Sequence, residues 1–580
     1  MSVEAERLPV QGAASIRWRR LLMRLGIVGR GPAVLLILLT GAAVIAPAVY
    51  VFNYAFAGNP SGVSQMLNAT GSWNLVVSTL ELALGSGALA LVMGTTLAWF
   101  ASRLGPRWRW LANVPFLPLV VPQLAMVTGY VYLLNPSIGY VNQIYRSLFG
   151  GTYGPINPYT LPWMIIIGSF VLTSIVFLFV KTALAQLSQE LLDAGSVFGC
   201  GPTRLLWKVV LPVMRPALIY GAMTTLLLGI GQITVPIIFG SPVGIHVLGT
   251  SIYANTASSS PNFNLAAAYG LPILVVGIIA LIFQRVMLRD AARYVTVGGR
   301  GSRPATEQSG WAGPTVLIVY ALISLVLPLI AIVIVSLQPF WSGHIRVGDF
   351  TLHNYSLIFS QDDLREAVTN SFKYAVATVL IGVPVTHGCA RIIYANRRIP
   401  VLSSIQDAIV NLPLVVPTAI FGLGFLLLYT ETSVGLYGNA WGIIILWVVL
   451  ILPIATRLQL TALVNLGPEL NAAARTCGAG FLRRVLTIDL PLLRPALAGG
   501  AALVMVVSMQ EFTASIFVAS MNTQVMGTQL YQLFSFVGYS QAGAMSIVMC
   551  VITALGVGLA FLFGGRGALS STSKGRATVG

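Results

Sequence analysis

LSQELLDAGSVFGCGPTRLLWKVVLPVMRPAL at residues 187–218 returns 279 positions later as LGPELNAAARTCGAGFLRRVLTIDLPLLRPAL at 466–497. Leu, Glu, Leu, Ala, Gly, Leu-Pro and Arg-Pro-Ala-Leu recur in register. Two further pairs extend the match: LPLVVP at 117–122 with LPLVVP at 412–417, and LGTSIY at 248–253 with MGTQLY at 526–531. The offset moves from 295 to 279 to 278, so connecting segments differ in length while the order of elements is kept. Self-similarity on this scale means one structural unit built twice.

What surrounds these stretches decides the solvent. Hydrophobic residues make up 56% of the 580 positions and charged residues 8%, against about 25% charged in an ordinary soluble domain. A bilayer accommodates such a chain, because runs of roughly 20 apolar residues cross it as helices with their backbone groups internally satisfied. Apolar runs predict spans near 33–55, 75–103, 110–135, 159–185, 214–240 and 263–287, then near 314–338, 369–394, 406–430, 440–463, 495–519 and 543–564. Prolines interrupt 110–135 and 406–430, the two weakest of these. The expected fold is an all-α polytopic membrane protein of about twelve transmembrane helices. Six helices per copy is an even number, so the two six-helix repeats share one topology and are parallel.

Lys and Arg collect on one side of the predicted spans. Arg103, Arg107 and Arg109, Lys181 to Arg215, Arg285 to Arg303, Arg391 to Arg398 and Arg457 to Arg494 all fall there, which makes that side and both termini cytoplasmic. The chain then divides into a cytoplasmic segment 1–30, a first repeat 31–290, a linker 291–312, a second repeat 313–565 and a tail 566–580. The Arg-rich start precedes an apolar run with no cleavage pattern, which predicts a retained helix rather than a signal peptide. The net charge of +17 comes from short clusters between apolar runs, which orient a chain in a bilayer and do not form a continuous nucleic-acid surface. Cys200, Cys389, Cys477 and Cys550 show no metal-ligand spacing. His344, Asp349, His353, Asp362 and Asp363 lie in the longest outer segment, 339–368, where scattered polar residues signal solvation before they signal a metal site.

The most similar stretch of the repeat is a polar cytoplasmic loop. Loops ordinarily tolerate change better than helices, so this points to a docking surface for an outside partner, present twice. Its pattern is small-small-x-x-x-Gly, nine residues, Val or Ile, one residue, Leu-Pro. The first copy reads Asp193, Ala194, Gly195, Gly199, Val209, Leu211, Pro212; the second reads Ala472, Ala473, Ala474, Gly478, Ile488, Leu490, Pro491. This pattern resembles the EAA loop of binding-protein-dependent ABC importer permeases. Six helices per half is similar to that family's type I fold, so the resemblance covers nearly the whole chain. The family's acidic residue is Asp193 in the first loop but Ala472 in the second, where Glu469 stands three residues earlier, as Glu190 does in the first copy.

The resemblance implies that the region around each glycine is a coupling helix seated in a groove of an ATPase subunit, with two such subunits at the cytoplasmic face. It also implies an extracytoplasmic solute-binding protein and location in the bacterial inner membrane. No Gly-x-x-x-x-Gly-Lys-Ser/Thr phosphate loop occurs in the sequence, so ATP hydrolysis is expected on a separate polypeptide and this chain is expected to be a transport subunit, not an enzyme, with no cofactor. An ion-coupled secondary transporter with a six-plus-six design is the alternative class. The fused layout and the segment RYVTVGGRGSRP at 293–304 are similar to the ferric-iron subgroup; thiamine, phosphonate and polyamine permeases share the architecture.

Ionisable residues within spans cost roughly 2.5–3.5 kcal/mol at mid-bilayer and so attract attention. They are Glu81, Lys373, His387, Asp407 and Glu511. Glu511 corresponds to Gln232 in the first copy, one helix after each loop. Glu511, Gln232 and the neighbouring Gln510 are the expected pathway residues. Hydrogen bonding between neighbouring helices is the competing reading.

Overall fold

The structure, a computed structural model, describes residues 31–564 except 152–153, 188–190, 192–193, 196, 288–309, 396–398, 434, 467–469, 471–472, 475, 481–482 and 484. The segments 1–30 and 566–580 and most of the linker 291–312, including 293–304, lie outside it. Among the described residues the chain is helical and contains no strand.

Among the described residues nine helices are long and apolar enough to span: α1 (Gly31–Phe56), α2 (Ser72–Ala101), α4 (Leu161–Leu184), α6 (Phe263–Met287), α7 (Ala312–Ser336), α8 (Asp362–Tyr394), α10 (Ala440–Asn465), Leu486–Gln510, whose α-helical part Leu490–Gln510 is α11, and the run opening α12 (Tyr539–Gly564). Three bent pairs complete a count of twelve. Pro106–Val120 meets α3 (Gln123–Leu134) at 96°, Leu206–Val213 meets α5 (Arg215–Ile230) at 70°, and Pro400–Val415 meets α9 (Thr418–Glu431) at 106°. A fourth pair, Pro236–Val243 and Leu248–Ala257 at 75°, follows α5. Its counterparts after α11 are Ser515–Val518 and Met526–Ser535.

The expected spans 110–135 and 406–430, the two that prolines interrupt, are therefore bent near right angles, and the cause is local. Val121 and Val416 are extended, at ψ 133° and 117°, each directly before a proline. The proline ring disfavours the helical conformation in the residue preceding it. The expected spans 214–240 and 495–519 likewise stop early, at Ile230 and Gln510. At 1.5 Å per residue the 16 residues of α5 reach about 24 Å, short of the roughly 30 Å hydrocarbon core.

The halves exchange their first helices. Besides its own half's α6, α1 packs on α9 and on Pro400–Val415; α7 packs on α3 and α2 as well as its own half's α12. Glycine makes both exchanges possible. A Cβ on Gly424 of α9 would stand 2.5 Å from the Pro47 carbonyl oxygen, and one on Gly129 of α3 would stand 2.7 Å from that of Pro328. Helices in lipid gain little from apolar burial against one another, so close backbone approach through small residues carries much of the association.

Candidate coupling loops and the crossing point of the two halves

Each polar loop begins with a short helical turn closed by a glycine in the left-handed region, Gly199 at φ +76° and Gly478 at φ +75°. The amide of Phe198 donates to the Ala194 carbonyl and that of Cys200 to Gly195; the amide of Cys477 donates to Ala473 and that of Ala479 to Ala474. The five-residue bond past a left-handed glycine is the closing bond of a Schellman cap. Nothing stands within 4 Å of a Cβ added at either glycine, so backbone conformation and not crowding selects glycine there. Gly195 differs: its added Cβ would meet Leu205 Cδ1 at 2.5 Å, so the two limbs of the first loop touch through it. Its counterpart Ala474 is buried. Glu190, Asp193, Glu469 and Ala472 lie outside the described residues.

The second limb of each loop is a π-helical turn, Leu206–Val210 and Val485–Asp489, followed at once by Leu211-Pro212 and Leu490-Pro491. Proline has no amide to donate and its ring crowds the carbonyl four residues back, which a widened turn relieves. The same device precedes Leu327-Pro328 in α7. Beyond this point the copies differ. The first chain bends at Met214 before α5, whereas α11 runs unbroken from Leu490 through Pro495.

Those two helices end where the bent helices of the opposite half turn. Gly231 closes α5, and a Cβ there would lie 2.8 Å from Pro417 Cβ. Gln510, at the matching position, closes α11 and donates from Nε2 to the Val120 carbonyl at 2.7 Å. Four interruptions of helix thus meet where the halves cross. Around them Gln232 and Glu511 turn into their own halves. The Gln232 side chain covers Gly168, close enough that a Cβ on that glycine would meet its Oε1 at 2.9 Å. Glu511 accepts from the amides of Ala514 and Ser515 at 2.7 and 2.9 Å and from the Ser515 hydroxyl, which in turn accepts from Trp447 Nε1 at 2.9 Å. Trp447 stands at the repeat position of Gly168, so one half fills with indole the space the other fills with glutamine.

The bent helices are latched on their first limbs. Lys181 of α4 donates to the Ala112 carbonyl at 2.7 Å and to Asn113 Oδ1 at 2.8 Å. In the second half Arg457 of α10 pairs with Asp407 at 2.8 Å. Among the described residues no group of three His, Cys, Asp or Glu side chains could hold a metal ion. In the outer segment Asp362 pairs with Arg365 at 2.6 Å.

The family of binding-protein-dependent transport system inner membrane components matches residues 13–293 and 389–565. The chain belongs to that family. It is an ABC importer permease of the type I fold, a non-catalytic, multi-pass inner-membrane subunit, and permeases of this kind work with an ATPase and a binding protein. The permease is 22% identical over 554 residues to the ferric transport system permease protein FbpB of Actinobacillus pleuropneumoniae, covering 90% of this chain and 76% of the relative. It is also 22% identical to a putative ferric transport system permease protein FbpB 1 of Haemophilus influenzae, covering 84% and 78%. A probable ABC transporter permease protein of Sinorhizobium fredii is 24% identical, covering 70% and 72%.

Three features of the permease escape the sequence reading. Val197 and Phe198 form a strongly exposed apolar tip just before Gly199. The Gly129 and Gly424 contacts need the exchange of first helices, which no local pattern reveals. Gly231 against Pro417 does carry a signal, since it lies beside the quoted Gln232 and against the quoted LPLVVP.

Proposed function

We propose that this permease carries ferric iron inward, received from an extracytoplasmic binding protein and driven by two copies of a separate ATPase docked on the loops around Gly199 and Gly478. The observation that carries the coupling role is the repeat of one cap geometry, φ +76° and +75°, in two polar loops that each lead into a helix ending at the crossing point. Ala194, Gly195, Leu211 and Pro212, with Ala473, Ala474, Leu490 and Pro491, build the two limbs; the proposed coupling set also takes in Glu190, Asp193, Glu469 and Ala472, which lie outside the described residues. An outward-facing pathway opens where α5 and α11 separate from the bends at Pro122 and Pro417, with Gln510 as a tie between the halves and Gln232 and Glu511 beside it. The basic clusters support cytoplasmic termini, and the repeats 31–290 and 313–565 supply both halves of the pathway.

Iron is supported by the ferric relatives that cover most of this chain. Proteoliposomes holding the permease, its ATPase and the binding protein test it directly. ATP-dependent accumulation of radioactive ferric iron, with none of thiamine, 2-aminoethylphosphonate or spermidine, is expected; accumulation of one of those in place of iron overturns the assignment.

A further inference from the structure

The two halves differ where the loops meet the membrane helices. In the second half Asp489, the last residue of the π turn, pairs through Oδ2 with Arg391 Nη1 of α8 at 2.5 Å; the Asp489 side chain is 2% exposed and that of Arg391 23%. The pair continues into a polar seam along α8 and α10. His387 Nδ1 lies 3.0 Å from Gln459 Oε1, and Gln459 Nε2 donates to Thr386 Oγ1 at 2.7 Å.

The matching positions of the first half are found by register. Thr79 of α2 accepts from the Leu248 amide at 2.9 Å, and Ser371 of α8 accepts from the Met526 amide at 2.7 Å. These equivalent bonds set α2 and α8 292 residues apart. Arg391 then corresponds to Trp99, His387 to Thr95, Gln459 to Val180 and Asp489 to Val210. Trp99, Val180 and Val210 belong to the buried apolar core, and Arg103 lies 3.6 Å over the Trp99 ring, with Val210 offering no carboxylate at the position of Asp489. Every charged or ring-nitrogen member of the seam is replaced by a residue without charge.

The physical consequence concerns force. Apolar contact is non-directional, so its surfaces can slide while staying buried. A desolvated ion pair with hydrogen-bond geometry resists both separation and sliding, because parting leaves an uncompensated buried charge.

We propose that Arg391–Asp489 is the link through which the second coupling loop moves α8, while the first loop acts on α2 through apolar packing. The two halves are then driven unequally even by two identical ATPase subunits. Both residues are positioning residues that act through the helices they join. This inference rests on the docking of an ATPase at the loops.

Glu81 and Lys373 are exposed at matching positions of α2 and α8 and can carry nitroxide labels as E81C and K373C, with Cys200, Cys389, Cys477 and Cys550 replaced by Ser. Pulsed electron spin resonance on the assembled complex reads their separation with ADP and with ATP plus vanadate. An ATP-dependent shift is expected in the parent. Asp489→Asn is expected to reduce it by at least half while ATP hydrolysis stays within twofold. Asp489→Glu restores the shift, and Arg391→Gln/Asp489→Asn behaves as either single variant does. Where Asp489→Asn fails to assemble, Arg391→Gln, at the more exposed end of the pair, carries the same expectation. Failure of the ATPase to bind the parent overturns both this inference and the coupling reading. A bound ATPase with a full shift in Asp489→Asn, or effects that multiply in the double variant, overturns this inference alone.

Discussion

Gln510 Nε2 donates to the Val120 carbonyl across the boundary between the two halves at 2.7 Å, at the place where Gly231 faces Pro417 on the other side. One repeat thus holds the crossing point by a hydrogen bond and the other by packing a glycine against the Pro417 ring. A neutral bond of this kind contributes about 0.5–1.5 kcal/mol net, enough to shift a two-state equilibrium roughly two- to tenfold. Replacing Gln510 by Ala should raise basal ATP hydrolysis of the assembled complex by a factor in that range when no binding protein is present. Hydrolysis unchanged in Gln510→Ala would show that the tie does not hold the resting state.

Gly129 and Gly424 support the exchanged helices by letting backbones approach Pro328 and Pro47. Carbonyl oxygens cannot move aside as flexible side chains can, so Gly129→Ala and Gly424→Ala should each cost about 1–3 kcal/mol, as overpacking does. Gly499 in α11 has nothing within 4 Å of an added Cβ. Gly499→Ala should be neutral or stabilise by about 0.5–1 kcal/mol through helix propensity. Thermal unfolding followed by size-exclusion chromatography separates the three.

At the loops the demand is conformational. Ala in the left-handed region costs roughly 1–2 kcal/mol, while Asn visits it more readily. Gly199→Val and Gly478→Val should abolish co-purification of the ATPase, and Gly199→Asn and Gly478→Asn should retain most of it. Equal retention by Val and Asn would show that the caps play no part in docking.

Lys181 and Arg457 latch equivalent helices with unequal strength. Lys181 makes two charge-assisted bonds and stands 5.1 and 5.2 Å over the Phe116 and Phe177 rings. Arg457 and Asp407 are 47% and 39% exposed, where an ion pair contributes about 0–1 kcal/mol. Lys181→Met should therefore lower the unfolding temperature measurably more than Arg457→Met. Equal losses would contradict the assignment.

What was legible in the sequence follows from period and punctuation. The repeat, the spans and the cap glycines are local or in register, so 187–218 and 466–497 carried them. The right-angle turns were written as Val-Pro within LPLVVP, but two apolar limbs of one bent element read as a single run. Glu511 drew attention as a charge in a span; its partners, the amides three and four residues on and the Trp447 bonded to Ser515, come from a turn and a neighbouring helix. Asp489 stands in a loop next to the membrane and its partner lies 98 residues earlier, so no local pattern marks the pair.

In the proposed coupling, energy enters through the loops. Proteoliposomes containing the permease and its binding protein, with and without the ATPase, should accumulate solute only when ATPase and ATP are both present, and Gly199→Val/Gly478→Val should abolish that uptake. Uptake driven by a proton or sodium gradient with no ATPase present would contradict it.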